Sequence, residues 1–280
     1  MKHLLIHSIG RIDLIVWLAV VMFFCGSSLL FGGDFQLSFI GAAGVIVEML
    51  IIGICIEIII ESLKKKKGLG TITGFITNGP EALCLIVGLA VGDILFAAST
   101  PLGSNFMNPI LLVIAALICG TFFSVFKCHP RYTVLTIAIT IIFAVSFFLI
   151  PEKYYLWWAI SVLIATIVLF FRRPEETGSG AEEETLFETD IWLIPATIIL
   201  IGTGYFLDPV VGFAAEHSMA PKGVIGFFVL ATLSSWPELK TCLSLLNRGK
   251  TLSAILNITV SNITNIWLAV VGVLIYMFAH

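Results

Sequence analysis

"SSWPELKTC" (Ser234–Cys242) and "TNGPEALC" (Thr77–Cys84) each set a proline and a glutamate inside a long apolar run. Proline removes a backbone donor, and a carboxylate is costly in hydrocarbon. The two defects are related. Pro80-Glu81 recurs as Pro237-Glu238, an offset of 157 residues. At the same offset Thr77-Asn78 falls on Ser234-Ser235, Ser104-Asn105 on Ser261-Asn262, and Asn108 on Asn265. So "TNGPE", 22 residues, "SNFMN" matches "SSWPE", 22 residues, "SNITN". Two copies of one polar skeleton in an apolar background define a repeat, at 74–110 and 231–267.

The background is that of a membrane protein. The 280 residues are 59% hydrophobic and 12% charged, about half the charge of a soluble domain. Apolar runs give nine candidate spans: 12–31, 37–63, 70–97, 100–126, 131–150, 154–172, 191–213, 222–246 and 251–279. Each is long enough to cross about 30 Å of hydrocarbon as a helix. Assigning the loops alternately puts 12 of the 15 Lys and Arg on one side. That bias places the N-terminus in the cytoplasm and the C-terminus outside. The six cysteines have no ligand-like spacing and read as packing residues. The expected organisation is an extra N-terminal helix in 1–36, a first half over 37–172, an acidic cytoplasmic linker over 173–190, and a shortened second half over 191–280.

The repeats begin on spans three and eight, an odd number apart, so their helices run antiparallel. The fold class expected is an all-α polytopic membrane protein with an inverted-topology repeat, its helices broken at Pro80 and Pro237. Such repeats place a substrate site at the bilayer midplane. The prolines free backbone carbonyls near Thr77 and Ser234. Glu81 and Glu238 add charge, and Ser104 with Asn108, like Ser261 with Asn265, share a helix face at i, i+4. Carboxylates, amides, hydroxyls and carbonyls form an all-oxygen set suited to Ca²⁺. The His and Cys ligands that zinc or copper would want are missing. Against this stands the simpler reading, in which proline kinks a helix and Ser and Asn bond neighbouring helices.

The "PE…SNxxN" pattern in two copies resembles the α-repeats of the calcium/cation antiporter superfamily, which includes sodium/calcium exchangers. The resemblance implies alternating access, in which spans 37–63 and 191–213 slide past a core. It makes Glu81 and Glu238 the charged Ca²⁺ ligands and has Thr77 and Ser234 offer carbonyls. Asn78, Ser235, Ser104, Ser261, Asn108 and Asn265 would line flanking positions for Na⁺ or H⁺. The chain departs from the family in places. "TNGPE" looks like the cation/proton members, Asn265 stands where many sodium-type members carry Asp, and two C-terminal helices of the family pattern are lacking. A second copy of the chain is one way to fill that gap. With two carboxylates, one Ca²⁺ balances two monovalent ions.

The expected activity is therefore antiport of Ca²⁺, or a similar divalent cation, against Na⁺ or H⁺. The alternative is a non-transporting cation sensor or assembly subunit of the same fold. No nucleotide-binding loop, enzymatic constellation or cofactor motif stands out. The expected partners are lipid and small cations, not nucleic acid. Lys240, two residues past Glu238, reads as a lysine that snorkels along its helix or meets a neighbouring acid; the sharper reading is a built-in cation replacing a transported one. Tyr154, Tyr155, Trp157 and Trp158 read as an interfacial belt.

Overall fold

The computed structural model describes residues 9–92, 94–176, 190–220, 229, 232–233 and 235–279. The described residues are helical, without strands. The helices are α1 (Arg11–Phe31), α2 (Phe35–Leu63), α3 (Leu69–Ile76), α4 (Gly79–Val91), α5 (Ile94–Ile118), α6 (Phe122–Lys127), α7 (Pro130–Leu149), α8 (Tyr155–Phe171), α9 (Leu193–His217), α10 (Trp236–Asn247) and α11 (Thr251–Ala279). Among the described residues, eight segments are long and apolar enough to cross a membrane, with α3 and α4 forming one of them. The chain is thus an all-α, multi-pass membrane protein. The run expected over 222–246 is described mainly as α10, and Ser234 lies outside the described residues. Residues 177–189 of the acidic linker, too, lie outside them.

The chain forms two compact units, and they are not the two halves of the sequence. One comprises the chain through Leu63 together with Ala181–Pro237, the other Lys64–Gly180 together with Glu238–His280. The first unit holds the long helices α2 and α9, packed on each other, with α1 against α2. Small residues make the contact. A Cβ on Gly41 would stand 2.8 Å from Ala214 Cα, and one on Gly44 3.0 Å from Val210 Cγ1. Close backbone approach of this kind is how helices associate without a hydrophobic driving force. Trp236 belongs to the same unit, fully buried, and its indole Nε1 donates to the Met49 carbonyl at 3.2 Å. Replacing Trp236 by Phe removes that donor together with the pyrrole part of the indole. The lost bond should cost about 1 kcal/mol and the cavity adds to it, read as a fall in thermal unfolding temperature.

The second unit is built around α11, which packs on α3, α4, α5, α6, α7 and α8. A helix enclosed in this way is apolar nearly all round, and the polar residues it keeps are the ones that need explaining. Its C-terminal half meets Phe147, Tyr155 and Trp158 in an apolar cluster with Ile266, Ala269, Val270 and Val273. This corrects the belt reading: Tyr154 and Trp157 are exposed, but Tyr155 and Trp158 are core residues, with Trp158 Nε1 donating to Ser146 Oγ at 3.0 Å. Residues three apart share a helix face, so Tyr154 with Trp157 lies on the exposed face and Tyr155 with Trp158 on the buried one. The fourth apolar run is also not one helix. α5 ends at Ile118, and Gly120, with φ of 66°, turns the chain before the short α6. All six cysteines are free thiols.

Candidate cation site

The polar skeleton lies almost wholly within the second unit. α3 ends at Ile76, and Thr77 and Asn78 make a turn before α4 starts at Gly79, with Pro80 in its first turn. Proline suits that position because the amide it lacks would have no helical partner there. The break is shallow. Thr77 and Asn78 stay close to helical dihedrals, and the Asn78 carbonyl still accepts from the Ala82 amide at 3.1 Å. The Thr77 hydroxyl oxygen is buried with no hydrogen-bond partner.

Asn78 reaches α11. Its Nδ2 donates to the Ser261 carbonyl at 2.8 Å and to Thr264 Oγ1, and its Oδ1 accepts from Ser261 Oγ at 2.6 Å. Asn108 Nδ2 donates to Ser261 Oγ and to Asn262 Oδ1, both at 3.0 Å. Asn265 Nδ2 donates to Asn105 Oδ1 at 3.2 Å, and Asn262 Nδ2 to the Asn105 carbonyl at 3.3 Å. Residue numbers rise on α5 as they fall on α11 along these bonds, so the two helices cross antiparallel.

The amide lattice has an internal order. The 157-residue offset carries Asn108 onto Asn265 and Asn105 onto Asn262. It therefore carries the Asn108–Asn262 bond onto the Asn265–Asn105 bond, and the remaining bond joins the equivalent residues Asn262 and Asn105. Asn108, Asn262 and Asn265 use their Nδ2 donors, whereas Asn105 Nδ2 is buried without an acceptor. In both copies the oxygen is left over: Asn108 Oδ1 and Asn265 Oδ1 are buried without a donor. A buried amide oxygen without a donor costs about 1–3 kcal/mol. Two of them stand at repeat-equivalent positions, and each is an oxygen that a cation satisfies.

The carboxylates are buried in the same unit. Glu81 accepts from Ser104 Oγ at 3.1 Å, across α4 and α5, and Glu238 on α10 is 1% exposed. Among the described residues no cluster of three or more His, Cys, Asp and Glu occurs. Glutamates and neutral oxygens are the kind of ligand that a hard cation takes. Of the residues expected at the site, Asn78, Asn108, Ser261 and Asn265 are drawn into one lattice, and Ser104 joins Glu81. Ser235 is buried but belongs to the first unit, next to the boundary at Pro237–Glu238. Lys240 is 7% exposed and belongs to the interior. It does not snorkel to the surface.

Three polar residues were given no role at the site from the sequence. Asn105 and Asn262 are lattice members, and their signal was present: both copies carry Asn there. Asn257 is buried on α11 one turn before Ser261, its Oδ1 without a donor and its Nδ2 4.0 Å from Cys242 Sγ. The spacing Asn257, Ser261, Asn265 (i, i+4, i+8) marks one helix face and could have found it.

No family model, curated protein or solved structure matches this chain.

Proposed function

We propose that the chain is a secondary antiporter that moves Ca²⁺, or a similar divalent cation, against Na⁺ or H⁺, and that it belongs to the calcium/cation antiporter superfamily its motifs resemble. The observation that carries the reading is the amide lattice. Its bonds map onto each other under the repeat offset, its helices cross antiparallel, and it leaves an oxygen open at the equivalent pair Asn108 and Asn265. An inverted-topology repeat with a cation at its centre accounts for all three. Glu81 and Glu238 supply the charge. Thr77, Asn78, Ser104, Asn108, Ser261 and Asn265 supply or hold the neutral oxygens, and Ser234 and Ser235 are the second-copy counterparts of Thr77 and Asn78 in the sequence. The packing of α2 on α9 in a unit of their own supports a moving pair and a separate core. The basic-residue bias orients the N-terminus toward the cytoplasm.

Alternating access then works by charge balance. An empty pair of glutamates in a low-dielectric interior repels itself, and two monovalent ions or one divalent ion neutralise it. Movement of the core past the long pair is favoured only when the site is neutral. Exchange is therefore two for one. The test is radiocalcium uptake into proteoliposomes under an imposed Na⁺ or pH gradient. Uptake driven by one of the two gradients, and flat as membrane voltage is stepped, is the expected result. Purified protein that binds Ca²⁺ yet moves none under either gradient would instead establish a sensor.

A further inference from the structure

After α8 the chain turns back onto the start of α3. Both carboxylate oxygens of Glu176 accept from the Gly70 amide, at 2.9 and 3.0 Å, and the Thr71 amide bonds it as well. Gly70 is the second residue of α3, where backbone donors have no partner within the helix. α3 itself, "LGTITGFI", brings no charged side chain. Glu176 thus supplies the acceptor that the start of this helix needs. The other end of α3 carries Thr77 and Asn78, about 12 Å away at 1.5 Å per residue.

The surroundings hold this contact in place. A Cβ on Gly70 would stand 2.1 Å from the Ser253 carbonyl oxygen and 2.6 Å from Glu176 Oε1, so only glycine lets the carboxylate and α11 approach together. One turn on, a Cβ on Gly74 would stand 2.7 Å from the Asn257 carbonyl oxygen. The charged groups acting on Glu176 are Lys250, at the start of α11, and Arg173, at the end of α8. Lys250 Nζ donates to the Lys64 carbonyl at 3.2 Å. The carboxylate therefore closes a junction of the α3, α8 and α11 ends.

We infer that Glu176 is a positioning residue: its docked carboxyl group sets α3, and through it Thr77 and Asn78, so that proton activity outside the apolar helices acts on the cation site. The docking stands by itself; only its consequence for transport rests on the proposed function. Burial pushes the Glu176 carboxyl above the usual glutamate range, against the two backbone bonds and the two cations, which pull it down. An undocked Glu176 in water titrates at its ordinary value. Docking thus takes up a proton between the ordinary and the raised value. The docked state is strongest below that window and weakens as pH rises through the raised value. Glu176→Gln, neutral and of equal reach, mimics the protonated group at every pH. Glu176→Ala removes the acceptor.

The experiment is hydrogen exchange of the full chain in nanodiscs across a pH series, following the peptide over 69–76 after correction for intrinsic rates. In the wild type, protection should fall as pH rises, about tenfold for each pKa unit of the shift. In Glu176→Gln it should stay high and flat, and in Glu176→Ala it should be lost. Where Glu176→Ala fails to fold, the contrast between the wild type and Glu176→Gln decides. Radiocalcium uptake recorded on the same preparations should lose its pH slope in Glu176→Gln. Wild-type protection in Glu176→Ala, or a wild-type slope in Glu176→Gln, overturns the inference. A wild type that moves no Ca²⁺ but shows the exchange pattern leaves the docking established and removes the transport reading alone.

Discussion

Glu81→Gln and Glu238→Gln should each reduce radiocalcium uptake to the level of protein-free liposomes, with the fold intact. The amide keeps the volume and one acceptor oxygen of the carboxylate, so packing is little disturbed. On the proposed function, what is lost is one unit of charge facing a dication. At an effective dielectric of about 20, two unit charges about 4 Å apart interact by about 4 kcal/mol, and a dication doubles that. Solvation of the carboxylate and of the ion in the reference state offsets much of the gain. A residual of about 3 kcal/mol already weakens binding by about a hundredfold. The Glu81 variant should be the milder in stability, because Ser104 Oγ can still donate to the amide oxygen. Equilibrium radiocalcium binding in detergent separates lost affinity from lost movement. Wild-type binding in either variant would remove that carboxylate from the site. A single variant that binds one monovalent ion fewer would confirm the charge balance.

Gly74→Ala should unfold the second unit's centre more than its one added methyl group suggests. The new Cβ meets the Asn257 carbonyl at 2.7 Å, with the Ser261 amide nitrogen and Val260 Cβ at 3.2 Å. Two of these three neighbours are backbone, which cannot rotate away. Either α3 moves off α11 or the site deforms. Overpacking of this kind costs about 1–3 kcal/mol. It also pulls Asn78 from its bonds with Ser261. Thermal unfolding should show a drop of several degrees, and Ca²⁺ binding should weaken in the same variant. Gly103→Ala is the matched control, because nothing lies within 4 Å of its added Cβ. Alanine is also the better helix former, by about 1 kcal/mol. Equal effects at the two glycines would mean that the α3–α11 approach is slack.

What could be read from the residues was whatever repeats or whatever costs energy in hydrocarbon. Pro80, Glu81, Asn108, Asn265 and their equivalents stood out because each breaks an apolar run at a fixed spacing. The break at Thr77–Asn78 followed from Pro80 alone. The partition of the chain into units was not legible. α2 and α9 come from different halves, and their contact rests on Gly41, Gly44 and Ala214. Small residues carry no periodic signal in a chain with 24 glycines. Which amide oxygens the lattice leaves without a donor was also hidden. Asn105 and Asn108 are alike in sequence, and only the partner helix decides which oxygen is used by a donor. Glu176 looked like one more acid in a linker, because nothing local shows that two amides of α3 await it.

The seam between α3 and α11 has a consequence for how the chain is made. Asn78 finds its partner Ser261 at a sequence separation of 183. During synthesis, the first repeat enters the bilayer long before that partner exists. Thr77, Asn78 and Glu81 must meanwhile be sheltered by water, by lipid headgroups or by an assisting protein, since hydrocarbon offers them no bonds. Closure of such a distant pair comes late and exposes the intermediate to misassembly. The centre of the molecule is therefore the last part to be finished, and the glycines that let α11 dock against an already inserted α3 govern biogenesis as much as they govern the finished fold.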